Sequence, residues 1–259
     1  MSVTLSSLIE RGKYRGMLRI LVYNWSFYAV TLFVSVLAAT LIRLFAIPTL
    51  VEALIGLGIA CATFWSIASL AAAHYIYDGS KLCAWAWLSE KLPASPQRWA
   101  NLHAGLDNAS AVLHTIFSNA QATVLDIYDA RAMPDVSIAR ARRFTPTAWP
   151  ARSADFRALP LDDRACDALF LIFAAHEIRR PAARRRFFAE LYRALKPGGV
   201  LMLVEHLRDG WNFLAFGPGC LHFLPRREWM RLAQGAGFRV REEFSITPFV
   251  SVFILRRPL

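Results

Sequence analysis

Two uncharged apolar runs near the start of the chain limit its possible folds more than any other feature. From Ile20 to Ile42 there are 23 residues without a formal charge, and from Ala53 to Ile76 another 24. At about 1.5 Å per residue, each is long enough as a helix to cross a hydrocarbon core roughly 30 Å thick. Backbone in lipid must satisfy its own hydrogen bonds, so the two runs read as a pair of transmembrane helices. The link Arg43 to Glu52 is short and contains Pro48, which suits a tight hairpin. The first run is too long for a cleaved signal, and no small-residue cleavage site follows it before the second.

Composition agrees. The chain is 56% hydrophobic with a mean hydropathy of +0.34, too apolar for an ordinary soluble domain of 259 residues. Its formal charge of +11 is scattered and accompanies no nucleic-acid module, so no nucleic acid is expected. Attraction to an anionic membrane surface accounts for the charge with fewer assumptions. Cys61, Cys83, Cys166 and Cys220 lie far apart without a CxxC pair, which argues against a disulfide framework and against a metal site.

The flanks set the orientation. Arg11, Lys13, Arg15 and Arg19 precede the first run and Lys81 follows the second, while the link carries Arg43 balanced by Glu52. The positive-inside rule then places both termini on the cytoplasmic side of an inner (cytoplasmic) membrane. Tyr23, Trp25, Tyr28, Tyr75, Tyr77, Trp85 and Trp87 read as an interfacial aromatic belt. Ser80 to Leu92 is expected along the membrane surface, with Pro93 and Pro96 opening a soluble domain. The division is 1–92 for the membrane part and 93–259 for the rest. Gly56 with Ala60 and Gly58 with Ala62 have small-xxx-small spacing, which permits packing within the hairpin or between subunits of a homo-oligomer.

The soluble part opens with a nucleotide-binding βαβ layout. Trp99 to Leu102 reads as a strand, His103 to Asp107 as a turn, Ala109 to Ser118 as a helix and Ala122 to Ile127 as a second strand. Asp126 follows Gly105 by 21 residues, about the spacing at which a Rossmann-like fold sets a carboxylate on a ribose diol. Alternation continues with a basic helix at 137–143, a Pro-rich link, and a strand from Cys166 apolar enough to be buried on both faces. A helix from Pro181 to Leu195 is expected to stop at Lys196-Pro-Gly-Gly199 before a strand at 200–205. A helix near 227–236 and two β-rich runs, 239–244 and 250–255, complete the chain.

Several strings carry a family resemblance. These are Ala154-Asp155-Phe156 with Leu159-Pro160-Leu161, Cys166-Asp167-Ala168-Leu169, Ala175-His176-Glu177, and Glu190-Leu-Tyr-Arg-Ala-Leu-Lys-Pro-Gly-Gly199 leading to Val204-Glu205. From about Trp99 to Leu255 the chain resembles class I S-adenosyl-L-methionine (SAM) dependent methyltransferases of the type 11 group. The resemblance implies an α/β, Rossmann-like, seven-stranded domain behind the two transmembrane helices, with SAM as cofactor. It also implies a cofactor site: Asn101 where an acid usually sits, His103 and Gly105 in the turn, and Asp126 with Ile127 at the ribose. Asp155 and Phe156 fall at the adenine, and Phe173 near the methionine end. The turn keeps one glycine where the family has two or three.

Methyl transfer needs a base only if the acceptor must lose a proton. His176, His206 and His222 fall at strand ends or loops on the ligand-binding side of an open α/β sheet and are the candidates. The aromatic stretch Trp211 to Pro225 is expected to pack on the hairpin or to line an acceptor pocket. The leading reading is an integral membrane methyltransferase acting on a lipophilic, bilayer-resident acceptor of quinone-like, phenolic, polyene or acyl type. The alternative is a membrane-anchored SAM-binding scaffold that has lost catalysis.

Overall fold

The computed structural model describes residues 12–92, 94–145 and 149–259. Arg11, Pro93 and part of the Pro-rich link lie outside the described residues.

The N-terminal third is helical, and its breaks follow local chemistry. Helix α1 (Arg15–Tyr23) begins where the Asp78 carboxylate accepts the amides of Gly16 at 2.6 Å and Met17 at 3.1 Å. It ends at Asn24, whose side chain donates to the Ile20 carbonyl at 3.0 Å. Helix α2 (Trp25–Leu44) follows with no buried residue, and α3 (Thr49–His74) starts where Pro48 accepts the amides of Val51 and Glu52. Both α2 and the helical stretch beginning at Thr49 are long and apolar enough to cross a membrane. The first apolar run is therefore broken: residues 20–23 belong to α1, and the spanning-length helix begins at Trp25. A Cβ on Gly56 or Gly58 would meet nothing within 4 Å, so these small residues do not pack within the hairpin.

Beyond α3 the chain does not lie along a surface as its sequence suggested. A π-turn (Tyr75–Gly79), a 3-10 turn (Lys81–Ala84) and α4 (Ala86–Lys91) bury Ile76, Leu82, Trp85 and Leu88 against the sheet. Burial of a large apolar side chain stabilises by about 1.5–3 kcal/mol, so these residues belong to the core of the domain they precede. The aromatic belt is accordingly divided, with Trp25 and Tyr75 exposed and Trp85 internal.

The sheet has seven strands in the order β3-β2-β1-β4-β5-β7-β6. They are β1 (Arg98–His103), β2 (Gln121–Asp126), β3 (Arg152–Ser153), β4 (Cys166–Ile172), β5 (Leu195–Glu205), β6 (Arg239–Thr247) and β7 (Val250–Arg256). Strands β1 to β5 are parallel, and β7 joins antiparallel to β5 and β6. Helices α5 (Ser110–Ile116), α6 (Val136–Phe144), α7 (Pro181–Ala194), α8 (Gly210–Phe216) and α9 (Arg226–Gly235) complete the set. One apolar layer contains Leu102, Phe187, Leu203 and Trp229, and the other contains Trp99, Phe170, Met202 and the 76–88 segment.

Lys196-Pro-Gly-Gly199 is not a free turn. Strand β5 begins at Leu195, and its pairing with β4 shifts between Cys166 and Ala168, so the motif is a bulge. A Cβ on Gly199 would fall 2.9 Å from the Lys196 carbonyl, while Lys196 pairs with Asp167 at 2.6 Å. The strand order reverses between β1 and β4, and the carboxyl ends of those strands form the crevice where such folds bind ligands.

Candidate functional site

The β1 and β2 ends hold the first half of the site. His103 pairs in register with Asp126, which sets the glycine turn beside the carboxylate. Gly105 has a φ of +132°, a region L side chains rarely adopt. Buried Asn101 donates from Nδ2 to Ser110 Oγ at 2.8 Å and to Asp107 Oδ1 at 3.2 Å. Asp107 Oδ1 also accepts the amides of Ala109 and Ser110, which starts α5. His103 Nδ1 accepts the Gly105 amide at 3.3 Å, and burial lowers the pKa of the ring.

Three buried polar atoms of this turn have no partner: Asn101 Oδ1, His103 Nε2 and Asp107 Oδ2. Leaving such atoms unmade costs on the order of 1–3 kcal/mol each. Two of them are oxygens that can only accept, which fits the ammonium and hydroxyl donors of an amino-acid nucleoside such as SAM. Asn101 and Asp107 would face its methionine ammonium and Asp126 its ribose.

A residue that the motif reading missed stands at the same place. Arg142 of α6 binds Asp126 through two nitrogens, at 2.8 and 2.7 Å, with its guanidinium 4.4 Å from the centre of the Tyr128 ring. A Cβ on Gly105 would fall 2.9 Å from Arg142 Cδ, so the arginine lies over the turn and the carboxylate together. Its helix packs on α1, where Arg140 donates to the Tyr23 carbonyl at 2.9 Å and Tyr23 bonds Thr145. The basic helix was visible in sequence, but no motif assigns it to the turn.

The other implied cofactor residues separate into two groups. Asp155 is exposed beside Asp126, accepting the Arg157 amide at 2.8 Å and its guanidinium at 3.2 Å. Ile127 and Phe156, by contrast, are fully buried core side chains. Phe156 packs edge-on to Phe187 at 6.0 Å and is covered by the Arg157 guanidinium at 4.1 Å.

The β4 and β5 ends hold the second half, and it is aromatic. Phe173, at φ +50°, lays its ring on His206 with centroids 4.6 Å apart and planes at 18°. Phe173, expected near the methionine end of the cofactor, thus stands in the aromatic cluster around His206. Tyr77, from the π-turn after α3, meets His206 Nε2 at 3.1 Å, and His206 Nδ1 meets the Phe249 carbonyl at 2.9 Å. A carbonyl only accepts, so Nδ1 carries the proton, Nε2 is bare, and the Tyr77 hydroxyl donates to it. Burial pushes the His206 pKa down to about 3, holding the ring neutral. Phe216, Phe223 and Phe249 close the surroundings.

The three histidines therefore differ. His176 sits between Glu205 at 2.6 Å and Glu177 at 3.0 Å. Burial opposes its charge, but the two carboxylates outweigh burial and push its pKa up to about 10. The two carboxylates favour its protonated form, so His176 is placed as a charged partner of Glu205 and Glu177. His222 is exposed, with Nδ1 bonded to the Gly219 carbonyl, and its ring lies 5.8 Å from that of His176. Only His206 combines neutrality, burial and a bare nitrogen already facing a hydroxyl. In sequence Tyr77 reads only as part of the aromatic belt, since it falls just past an apolar run and its partner lies 129 residues away.

Residues 104–203 match a family model described as a methyltransferase domain. Among curated proteins, none matches this sequence. Solved structures with a similar fold include the [4+2]-cyclase SpnF, at 17% identity and a TM-score of 0.50, covering 70% of this chain and 82% of that one. Human N-acetylserotonin methyltransferase in complex with SAM is similar at 18% identity and a TM-score of 0.50, covering 75% of this chain and 56% of that one. These likenesses show the fold, and the family match supplies the activity. The chain carries a SAM-dependent methyltransferase domain, and SAM is its cofactor.

Proposed function

We propose that this methyltransferase is held in a membrane by α2 and α3, with its termini and catalytic domain on the cytoplasmic side, and methylates a lipophilic acceptor that reaches the Phe173–His206 pocket from the bilayer. One observation carries the reading. The continuation of the second spanning-length helix supplies Tyr77, whose hydroxyl bonds the buried, neutral His206 at the strand ends. The helix that would anchor the protein thus also contributes to the aromatic cluster around His206.

Bound SAM supplies an electrophilic methyl group on a sulfonium. The protein's part is placement, which in oriented reactions supplies most of the advantage. Phe173 and the surrounding phenylalanines exclude water and offer flat faces to a ring or polyene. His206, held by the Phe249 carbonyl, presents Nε2 where Tyr77 now donates, and a phenolic or enolic acceptor hydroxyl placed there would donate a hydrogen bond to that nitrogen and be oriented by it. Asn101, Asp107 and Asp126 would hold the cofactor at the neighbouring strand ends.

The test is to place the full-length protein in lipid vesicles with methyl-labelled SAM and a total membrane lipid extract. Label is expected in the organic phase after extraction. Label confined to water-soluble products, or none above a protein-free control, would overturn the lipophilic-acceptor reading.

A further inference from the structure

A cleft with a volume of about 330 Å³ lies at His222, and five arginines line it: Arg179, Arg184, Arg208, Arg227 and Arg231. Glu228 is the one acid in that lining. Arg231 lies 3.8 Å from it, and Arg179 reaches Asp135 at 3.3 Å and Glu177 at 3.5 Å, the latter already paired with His176. The cleft is strongly cationic.

Its centre is Arg184, only 8% exposed. Its guanidinium donates to the carbonyls of Ile178 at 2.8 Å and Arg179 at 3.0 Å, while the buried Nε has no partner. Burial works against its charge, Glu228 offsets this in part, and like charges on Arg179, Arg185 and Arg208 oppose it further. One carboxylate among five guanidinium groups in the lining leaves an excess of positive charge that a bound anion would compensate. Several guanidinium forks converging on one cleft match a phosphate monoester, which carries about 1.5 to 2 negative charges near pH 7 and three strong acceptor oxygens. A carboxylate would answer fewer of them.

The surroundings indicate where that phosphate comes from. The 3-10 segment Gly217–His222 ends in the cleft and begins against α3, where a Cβ on Gly217 would fall 2.6 Å from Trp65 Cδ2. At roughly 2 Å per residue the cleft is about 12 Å from that contact. Leu221 lines the cleft at 58% exposure, and α8 leaves Trp211, Phe213 and Leu214 at 59%, 46% and 51% exposed. A cationic cleft edged by exposed aromatic and aliphatic side chains, beside a helix long and apolar enough to span, is the layout of an interfacial lipid site.

We propose that the Arg184 cleft binds the phosphate monoester headgroup of a membrane lipid, whose chains lie along the apolar edge formed by Leu221 and α8. This rests on the membrane reading above but not on methyl transfer.

The test is calorimetric titration of the full-length protein in neutral detergent with dihexanoyl phosphatidic acid, dihexanoyl phosphatidylcholine and inorganic phosphate. Phosphatidic acid is expected to bind best, inorganic phosphate more weakly and phosphatidylcholine least. The exposed pair Arg227→Gln with Arg231→Gln, which breaks no contact to the core, should weaken phosphatidic acid binding about tenfold or more through lost charge-assisted bonds. Arg184→Lys, which keeps the charge but removes the fork, should weaken it as well. Equal binding of phosphatidylcholine, or unchanged affinity in the exposed double variant, would overturn the site. Inorganic phosphate binding as tightly as the lipid would overturn the lipid source. Flotation with neutral vesicles after carbonate washing reports membrane insertion separately, so failure of the anchor and failure of the cleft are distinguishable.

Discussion

The two halves of the crevice are built on opposite principles. At the ends of β1 and β2 the groups are polar, partly unsatisfied and overlaid by a cation of the same chain, Arg142. At the ends of β4 and β5 they are aromatic, and a residue following a spanning-length helix completes a hydrogen-bonded chain from Tyr77 through His206 to Phe249. The first half offers unsatisfied acceptor oxygens beside an ion pair, Asp126 with Arg142. The second half offers stacked rings around one neutral histidine.

That contrast can be broken most severely at His206. His206→Asn should lower kcat by about 100-fold or more through lost placement of the acceptor, while S-adenosylhomocysteine binding stays at the wild-type value. A parallel loss of cofactor binding would show that the halves are not separate. Asp126→Ala should weaken S-adenosylhomocysteine by about 100-fold in calorimetry, as expected for two lost charge-assisted bonds. Arg142→Gln sharpens the comparison further. If Arg142 competes with the ligand for Asp126, its removal should tighten binding by about threefold to tenfold, the range for a partly exposed ion pair. Weaker binding instead would make Arg142 a ligand contact.

The smallest effect concerns pH and stability. The folded pKa of His176, about 10, exceeds its ordinary value of 6.5, so the folded protein binds more protons than the unfolded chain between those limits. Stability from this group is complete below pH 6.5 and is lost as pH rises toward 10. Thermal unfolding followed from pH 6.5 to 9.5 should show a falling midpoint in the wild type and a flatter one in His176→Gln.

Local pattern was enough to find the strands, the glycine turn and Asp126, because βαβ units write their spacing into contiguous sequence. The carboxyl end of β1 and the start of α5 could be read from Gly105 and Asp107 for this reason. Arg142 and Tyr77 could not be read that way, since each acts across a fold that only tertiary packing brings together. Residues 80–92 were misplaced because tryptophans at a membrane surface and tryptophans in a core have the same composition. Trp85 turned inward because the sheet behind it offered Trp99 and Phe170 as a packing surface. Among the histidines, the number of carboxylates within reach separated His176 from His206, and sequence does not show that.

The turn after α3 has one further consequence. The helix passes into the π-turn without an interruption, so Tyr77 stands at the end of a nearly rigid rod. Helices longer than the local bilayer is thick respond by tilting. Any change in the direction of α3 is carried to the Tyr77 hydroxyl, while His206 is fixed to the sheet through the Phe249 carbonyl, so one hydrogen bond couples the helix to the strand ends.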